Sequence, residues 1–175
     1  VGLTLVDLAT GKRLYMRTNS FYSFRSDGGV RRLRVEATPN ASRHLLISDL
    51  GTQRGPLIST AMFREFVAPY LREMIELIHG FGARVLFHSC GAIGPLIPEL
   101  IRLGVNVLDP IQPAGPDMQP ENLKARFGDQ LCFHGGIDMQ ELLPHATPGQ
   151  VQAEVRRYCE VLGAGGGYIL GPAHL

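Results

Sequence analysis

The sequence predicts an α/β fold: the C-terminal part of a (β/α)8 TIM barrel, with about five strands. Three observations predict it. From Leu45 onward, short apolar runs alternate with amphipathic stretches, the pattern of strands joined by crossover helices. Polar residues gather directly after successive runs, at Asp49, His88 with Cys90, Asp109, His134 with Asp138, and His174, as in a barrel whose site is built at the carboxyl ends of its strands. The chain has 175 residues, begins with Val1 and stops just after a strand, so it reads as a piece of a barrel that needs ~250. An open doubly wound sheet is the alternative. It expects a Gly-rich turn between its first strand and helix, whereas Gly163–Gly167 precedes a strand.

Each element has its own signal. Leu45-Leu46-Ile47-Ser48-Asp49 reads as a strand ending in a carboxylate. Thr60–His79 reads as a helix, with Phe63, Phe66, Val67, Tyr70, Leu71, Met74, Leu77 and Ile78 at helical spacing. Ser59 or Thr60 caps it, Gly80 and Gly82 stop it, and Pro69 bends it. Strand 83–88 follows, then a helix from Ala92 to Leu103. Val105–Asp109 is a strand closed by Pro110, and Glu121–Phe127 a short helix. Leu131–His134 is the fourth strand. Pro148–Leu162 is a helix with Thr147 as N-cap and Pro148 at its first position, where the missing N–H costs nothing. Gly163–Gly167 is a helix stop and turn, and Tyr168–Gly171 the fifth strand.

Composition narrows the class. Hydrophobic residues make up 45% and the net charge is +1, so one core of ordinary size forms and no footprint for nucleic acid appears. No apolar run approaches the ~20 residues of a membrane span. Three scattered cysteines (Cys90, Cys132, Cys159) make no disulfide framework and point to a cytoplasmic setting. Residues 1–44 differ from the rest: they hold eight Lys/Arg against three acids, whereas the remainder holds nine against thirteen. This segment reads as an unassigned basic leader, disordered or foreign, with one hairpin signal in which Leu3–Val6 and Arg13–Met16 flank Ala9-Thr10-Gly11. Residues 45–175 make the barrel part.

The stretch His88-Ser89-Cys90-Gly91 carries the most chemistry. Side chains at i and i+2 of a strand share a face, so an imidazole and a thiol converge at one point, and this is a ligand mixture that zinc favours. The competing reading is a strand-end pair satisfied by hydrogen bonds, with Cys90 a small core residue. Cys132 and Cys159 read as packing. His134 lines the mouth or makes a structural hydrogen bond. His44, His79 and His145 read as solvated, as do Arg84, Arg102, Arg126, Arg156 and Arg157. Asp109 caps a turn or meets substrate. Asp138 caps a short helix around Met139–Leu143 or faces the mouth.

These phrases, in order, resemble the uroporphyrinogen decarboxylase superfamily, which includes the cobamide-dependent methyltransferases. The resemblance runs through Asp49-Leu50-Gly51-Thr52-Gln53, Pro56-Leu57-Ile58-Ser59 and Met62-Phe63-x-x-Phe66-Val67-x-Pro69-Tyr70. It continues in Phe87-His88-Ser89-Cys90-Gly91, Leu108-Asp109-Pro110-x-Gln112-Pro113 and Leu123-Lys124-x-x-Phe127-Gly128-Asp129. Gly135-Gly136-Ile137-Asp138 and Tyr168-Ile169-Leu170-x-Pro172-x-His174 complete it. In the methyltransferase branch the resemblance implies a His-x-Cys and a later Cys binding zinc, which activates a thiol to receive a methyl group from a methylcobamide. His88 and Cys90 match, and His174 stands where that Cys is expected. Zinc ligands are then His88, Cys90 and His174, with Asp49 and His174 as candidate catalytic groups. The family pattern also has two adjacent acids before Leu-Gly-Thr-Gln, and Ser48 takes the place of the first. The implied partners are a small thiol or tetrapyrrole substrate and a corrinoid protein. In the decarboxylase branch His174 contacts a tetrapyrrole that loses CO₂ without any cofactor. The third reading is an inactive fragment or corrinoid-partner binding module.

Overall fold

The computed structural model describes residues 4–7, 13–15, 33–36, 43–47 and 49–174. Near the N-terminus, β1 (Thr4–Asp7) pairs antiparallel with β2 (Arg13–Tyr15), the hairpin the sequence signals, and with β3 (Leu33–Glu36) on its other side. The reading of residues 1–44 as a disordered or foreign leader falls mostly on residues outside those described.

The main sheet is parallel and keeps chain order: β4 (Arg43–Ile47), β5 (Arg84–His88), β6 (Val107–Ile111), β7 (Cys132–Ile137) and β8 (Tyr168–Pro172). A doubly wound sheet reverses its strand order at a switch point, and here each strand lies beside the next in sequence. This is the winding of a TIM barrel part.

Helices cover one face. Between β4 and β5 the chain runs through α1 (Thr60–Met62), a π-helical segment (Phe63–Val67) and α2 (Ala68–Gly80). The Ser59 side chain accepts from the Met62 N–H at 3.1 Å and caps the start. Pro69 does not simply bend this helix. A π-turn precedes it, with the Ala68 N–H bonded to the Phe63 carbonyl, so the proline's missing donor falls where helical register is already changing. The extra residue rotates the apolar stripe. Phe63, Leu71, Ile75 and Ile78 are buried, whereas Phe66 and Tyr70 are 59% and 70% exposed, and Met74 and Leu77 also face outward. The predicted core face is therefore corrected by about half its members.

A 3₁₀ turn (Gly94–Leu96) leads into α3 (Ile97–Leu103), so the predicted helix starts later than Ala92. Strand β6 runs through Pro110 instead of stopping before it. Its pairing with β7 is irregular between Leu108 and Ile111, which is where a residue without an N–H can be accommodated. α4 (Pro120–Phe127) and α6 (Pro148–Gly163) flank β7. Thr147 and Gln150 form a reciprocal capping box at α6. The Lys124 ammonium donates to the carbonyls of Leu162 (3.0 Å) and Gly166 (2.9 Å), closing the other end.

The core lies between sheet and helices. Val85 and Phe87 of β5, Leu108 of β6 and Phe133 of β7 pack against Ile75, Ile97, Leu100, Leu123, Tyr158 and Leu162. The alternating residues Leu86, His88, Cys132 and His134 turn to the other face and are only partly buried. Several polar residues are more engaged than their sequence suggests. The ring nitrogens of His79 face the carbonyls of Ala83 and Gly104 at 3.2 and 2.8 Å, tying the end of α2 to the turn after α3. Arg157 reaches Glu154 and Glu121, joining α6 to α4, and Arg102 meets Glu99. Cys159 is exposed, so it is not a packing residue. Among the described residues no helix is long and apolar enough to cross a membrane.

Candidate metal centre

The site forms where the carboxyl ends of the strands meet. Parallel pairing of β5 with β6 sets His88 opposite Asp109. The His88 Nδ1 lies 2.7 Å from Asp109 Oδ2. The other carboxylate oxygen of Asp109 is taken by Nδ1 of His134 from β7. One buried carboxylate thus holds two imidazoles. With Nδ1 committed, the Nε2 of His88 turns toward the Cys90 Sγ at 3.6 Å and Asp49 Oδ1 at 3.9 Å.

The loops after β4 and β5 hold Asp49 and Cys90 together by their backbones. The Cys90 N–H donates to Asp49 Oδ1 (3.1 Å), the Leu50 N–H to Ser89 Oγ (3.0 Å), and the Ala92 N–H to the Thr52 carbonyl (2.8 Å). Contact this close needs glycines. A Cβ on Gly51 would lie 2.6 Å from the Cys90 carbonyl oxygen, and Gly91 has φ of +88° with Gly51 backbone against it. The Gly91 N–H donates to Gln112 Oε1 (2.7 Å), whose Nε2 donates to the Ala173 carbonyl (3.2 Å). Gln112 thereby ties the His-x-Cys loop to the end of β8.

His174 follows β8, is exposed, and places its Nδ1 3.5 Å from Cys90 Sγ. Beside it opens a cleft of about 350 Å³, whose lining includes Cys90, Gln53, Gln112, Asp138, Met139 and His174. Asp138 does not cap the following helix. Its Oδ1 accepts from the Gln140 N–H at 2.8 Å, and α5 (Leu142–His145) begins later.

The electrostatics are uneven. Burial, then the Asp49 carboxylate, pushes the Cys90 thiol up to about 11, so without a cation it is a neutral S–H at pH 7. The Asp109 bond raises His88 above its ordinary value against the opposing effect of burial. Burial raises Asp109, but the hydrogen bonds from His88 and His134 outweigh it and hold the carboxyl below its usual range.

The donor set fits zinc. Ligand atoms of Asp49, His88 and Cys90 lie within 4.8 Å of one another. Tetrahedral zinc with its usual bond lengths sets sulfur and nitrogen about 3.6 Å apart. Cys90 Sγ shows 3.6 Å to His88 and 3.5 Å to His174. Asp49, expected as a catalytic group, joins the ligand cluster, while His174 reaches it only through Cys90. Two residues were not read correctly in the sequence. Asp109 is a double imidazole anchor where a turn cap was one expectation, and Gln112 was named only as part of a motif. The signal available for Asp109 was its position at a strand end beside that of His88.

Residues 41–175 match the uroporphyrinogen decarboxylase (URO-D) family. Among solved structures, a methyltransferase from Methanosarcina mazei is similar, with a TM-score of 0.57 at 16% identity over 77% of this chain. The chain spans 36% of that structure's length. No curated protein matches. With most of its length matched and the parallel sheet wound in the same sense as a TIM barrel, the chain belongs to the uroporphyrinogen decarboxylase (URO-D) family.

Proposed function

We propose that this chain carries a zinc site of the methyltransferase branch, serving methyl transfer from a methylcobamide to a thiol. The observation that carries the reading is the convergence of Asp49, His88 and Cys90, with His88 already aimed by Asp109. Zinc, when bound, supplies the Lewis acidity that keeps a ligated thiol ionised at neutral pH. Asp49, His88 and Cys90 would hold it, leaving the fourth position to the acceptor thiol, with His174 beside Cys90 at the mouth. Two of these, Asp49 and Cys90, are anionic in the bound form, and a divalent cation offsets the burial that otherwise keeps Cys90 protonated. The Asp109 bond fixes the tautomer of His88, so its Nε2 lone pair faces the cluster. The cleft beside Cys90 seats the acceptor thiol, and a corrinoid-carrying protein is the donor partner.

Cofactor-free decarboxylation of an acidic tetrapyrrole fits less well. Such a substrate needs cationic partners, and among the described residues lining the cleft there is no Lys or Arg.

Metal analysis of the purified chain tests the reading. One zinc per chain is expected, with loss in His88→Ala and in Cys90→Ala. Absence of zinc from the wild type, after exposure to it, overturns the mechanism. Retention in both variants moves the site elsewhere. Methylcobalamin and small thiols then test transfer, and zinc binding without transfer favours a binding role.

A further inference from the structure

We infer that His134, which hydrogen-bonds to none of the candidate ligands, is a positioning residue for the metal site and acts through Asp109. The inference rests on the zinc reading above for its consequence, but its geometry stands alone. Asp109 is buried, and each of its carboxylate oxygens has one imidazole partner: Oδ2 takes His88 Nδ1 at 2.7 Å and Oδ1 takes His134 Nδ1.

A carboxylate on one such bond keeps a broad rotation about its last torsion, and a second bond on the other oxygen removes it. His134 is suited to be that second anchor. It lies within β7, in register with Ile169 of β8, and its chain neighbours Phe133 and Gly135 pair with β6. A Cβ at Gly171 would approach His134 Nε2 to 3.1 Å, so the glycine leaves room for the ring and walls its far side. His134 is absent from both the three-residue donor cluster and the cleft lining. Its one described polar partner outside its backbone is Asp109.

The chain of contacts therefore runs from the β7 backbone through His134 and Asp109 to His88, and ends at Nε2 facing Cys90 and Asp49. Two histidines donating Nδ1–H to one carboxylate both hold the tautomer that leaves Nε2 as the acceptor. Removing His134 exposes a buried carboxylate oxygen to an unmet hydrogen bond and lets Asp109 turn away from His88. Partners one step behind a metal-ligating histidine change affinity by roughly 10–100-fold when lost.

The test uses two readouts on the folded chain. Zinc affinity is measured by competition with a chromophoric chelator, and the His88 ring tautomer by ¹⁵N NMR of the metal-free protein. Expected are a His88 held as the Nδ1–H form in wild type, and tautomer mixing with about tenfold weaker zinc in His134→Phe. His134→Gln, which keeps a donor, should restore both. His134→Asn, too short to reach, replaces the Phe variant if that one does not fold. An unchanged His88 tautomer together with unchanged zinc affinity in a folded Phe or Asn variant overturns the inference. If the wild type binds no zinc, the functional reading fails, and the tautomer result alone still decides the role of His134.

Discussion

Glu99 offers a test of the packing between α3 and the π-helical segment. It sits in the first turn of α3, buried, with its Oε1 2.7 Å from Arg64 and also paired with Arg102. These two guanidiniums hold its carboxyl down at about 2, against 4.5 ordinarily. At about 1.36 kcal/mol per unit, that shift caps the contribution near 3 kcal/mol. The arginine side chains are 59% and 60% exposed, and water screens them, so about 1–2 kcal/mol is expected. A folded-state value below the unfolded one stabilises the fold above pH 4.5, and the contribution fades as pH falls from about 4.5 to 2. Urea unfolding of wild type and Glu99→Gln should differ by about 1–2 kcal/mol at pH 7 and converge near pH 2. A difference that is the same at both pH values, or no difference at pH 7, refutes the ion-pair account.

Two further outcomes follow from the same geometry. Gly136→Ala places a Cβ against the buried Tyr158 ring at a residue with φ of +102°, so it should lower stability by about 2–4 kcal/mol in thermal melts. A loss below 0.5 kcal/mol, roughly the noise of a tolerated surface change, contradicts the close packing of β7 on α6. In the metal-free protein Cys90 should alkylate more slowly with iodoacetamide at pH 8 than the exposed Cys159, because its thiolate forms only as pH nears 11. Peptide mass spectrometry reads both sites at once, and faster labelling of Cys90 contradicts its burial.

The alternation of strands and helices was legible because each βα unit buries a local stripe whose period the sequence shows. The capping of α6 by Thr147 was legible for the same reason, since cap and partner lie three residues apart. Phe66 and Tyr70 misled. Their spacing fits an α-helix, and only the π-turn before Pro69 rotates them outward. β6 continued through Pro110 because a strand tolerates a missing donor where its neighbour's register slips. His88 and Cys90 could be paired from the sequence, being two residues apart. The carboxylate that aims His88 comes from 21 residues away, and its partner His134 from 25 further on. Those contacts depend on inter-strand register, which joins residues on separate strands and which spacing within one strand does not show.

The glycine seam between Gly51 and Gly91 bears on how this centre can be moved or rebuilt. Asp49 and Cys90 belong to different loops, yet at Gly51 and Gly91 the loops touch backbone to backbone. Grafting the His-x-Cys turn alone onto another scaffold would strand it without Asp49 and would meet a Cβ at almost any receiving surface. The transferable unit is the pair of loops, carried together with their strands. For the same reason, substitutions at Gly51 or Gly91 are poor entry points for laboratory evolution of the site, and so is Gln112, which holds the Gly91 N–H, whereas Gln53 and Met139 offer side chains on the cleft that can vary without parting the seam.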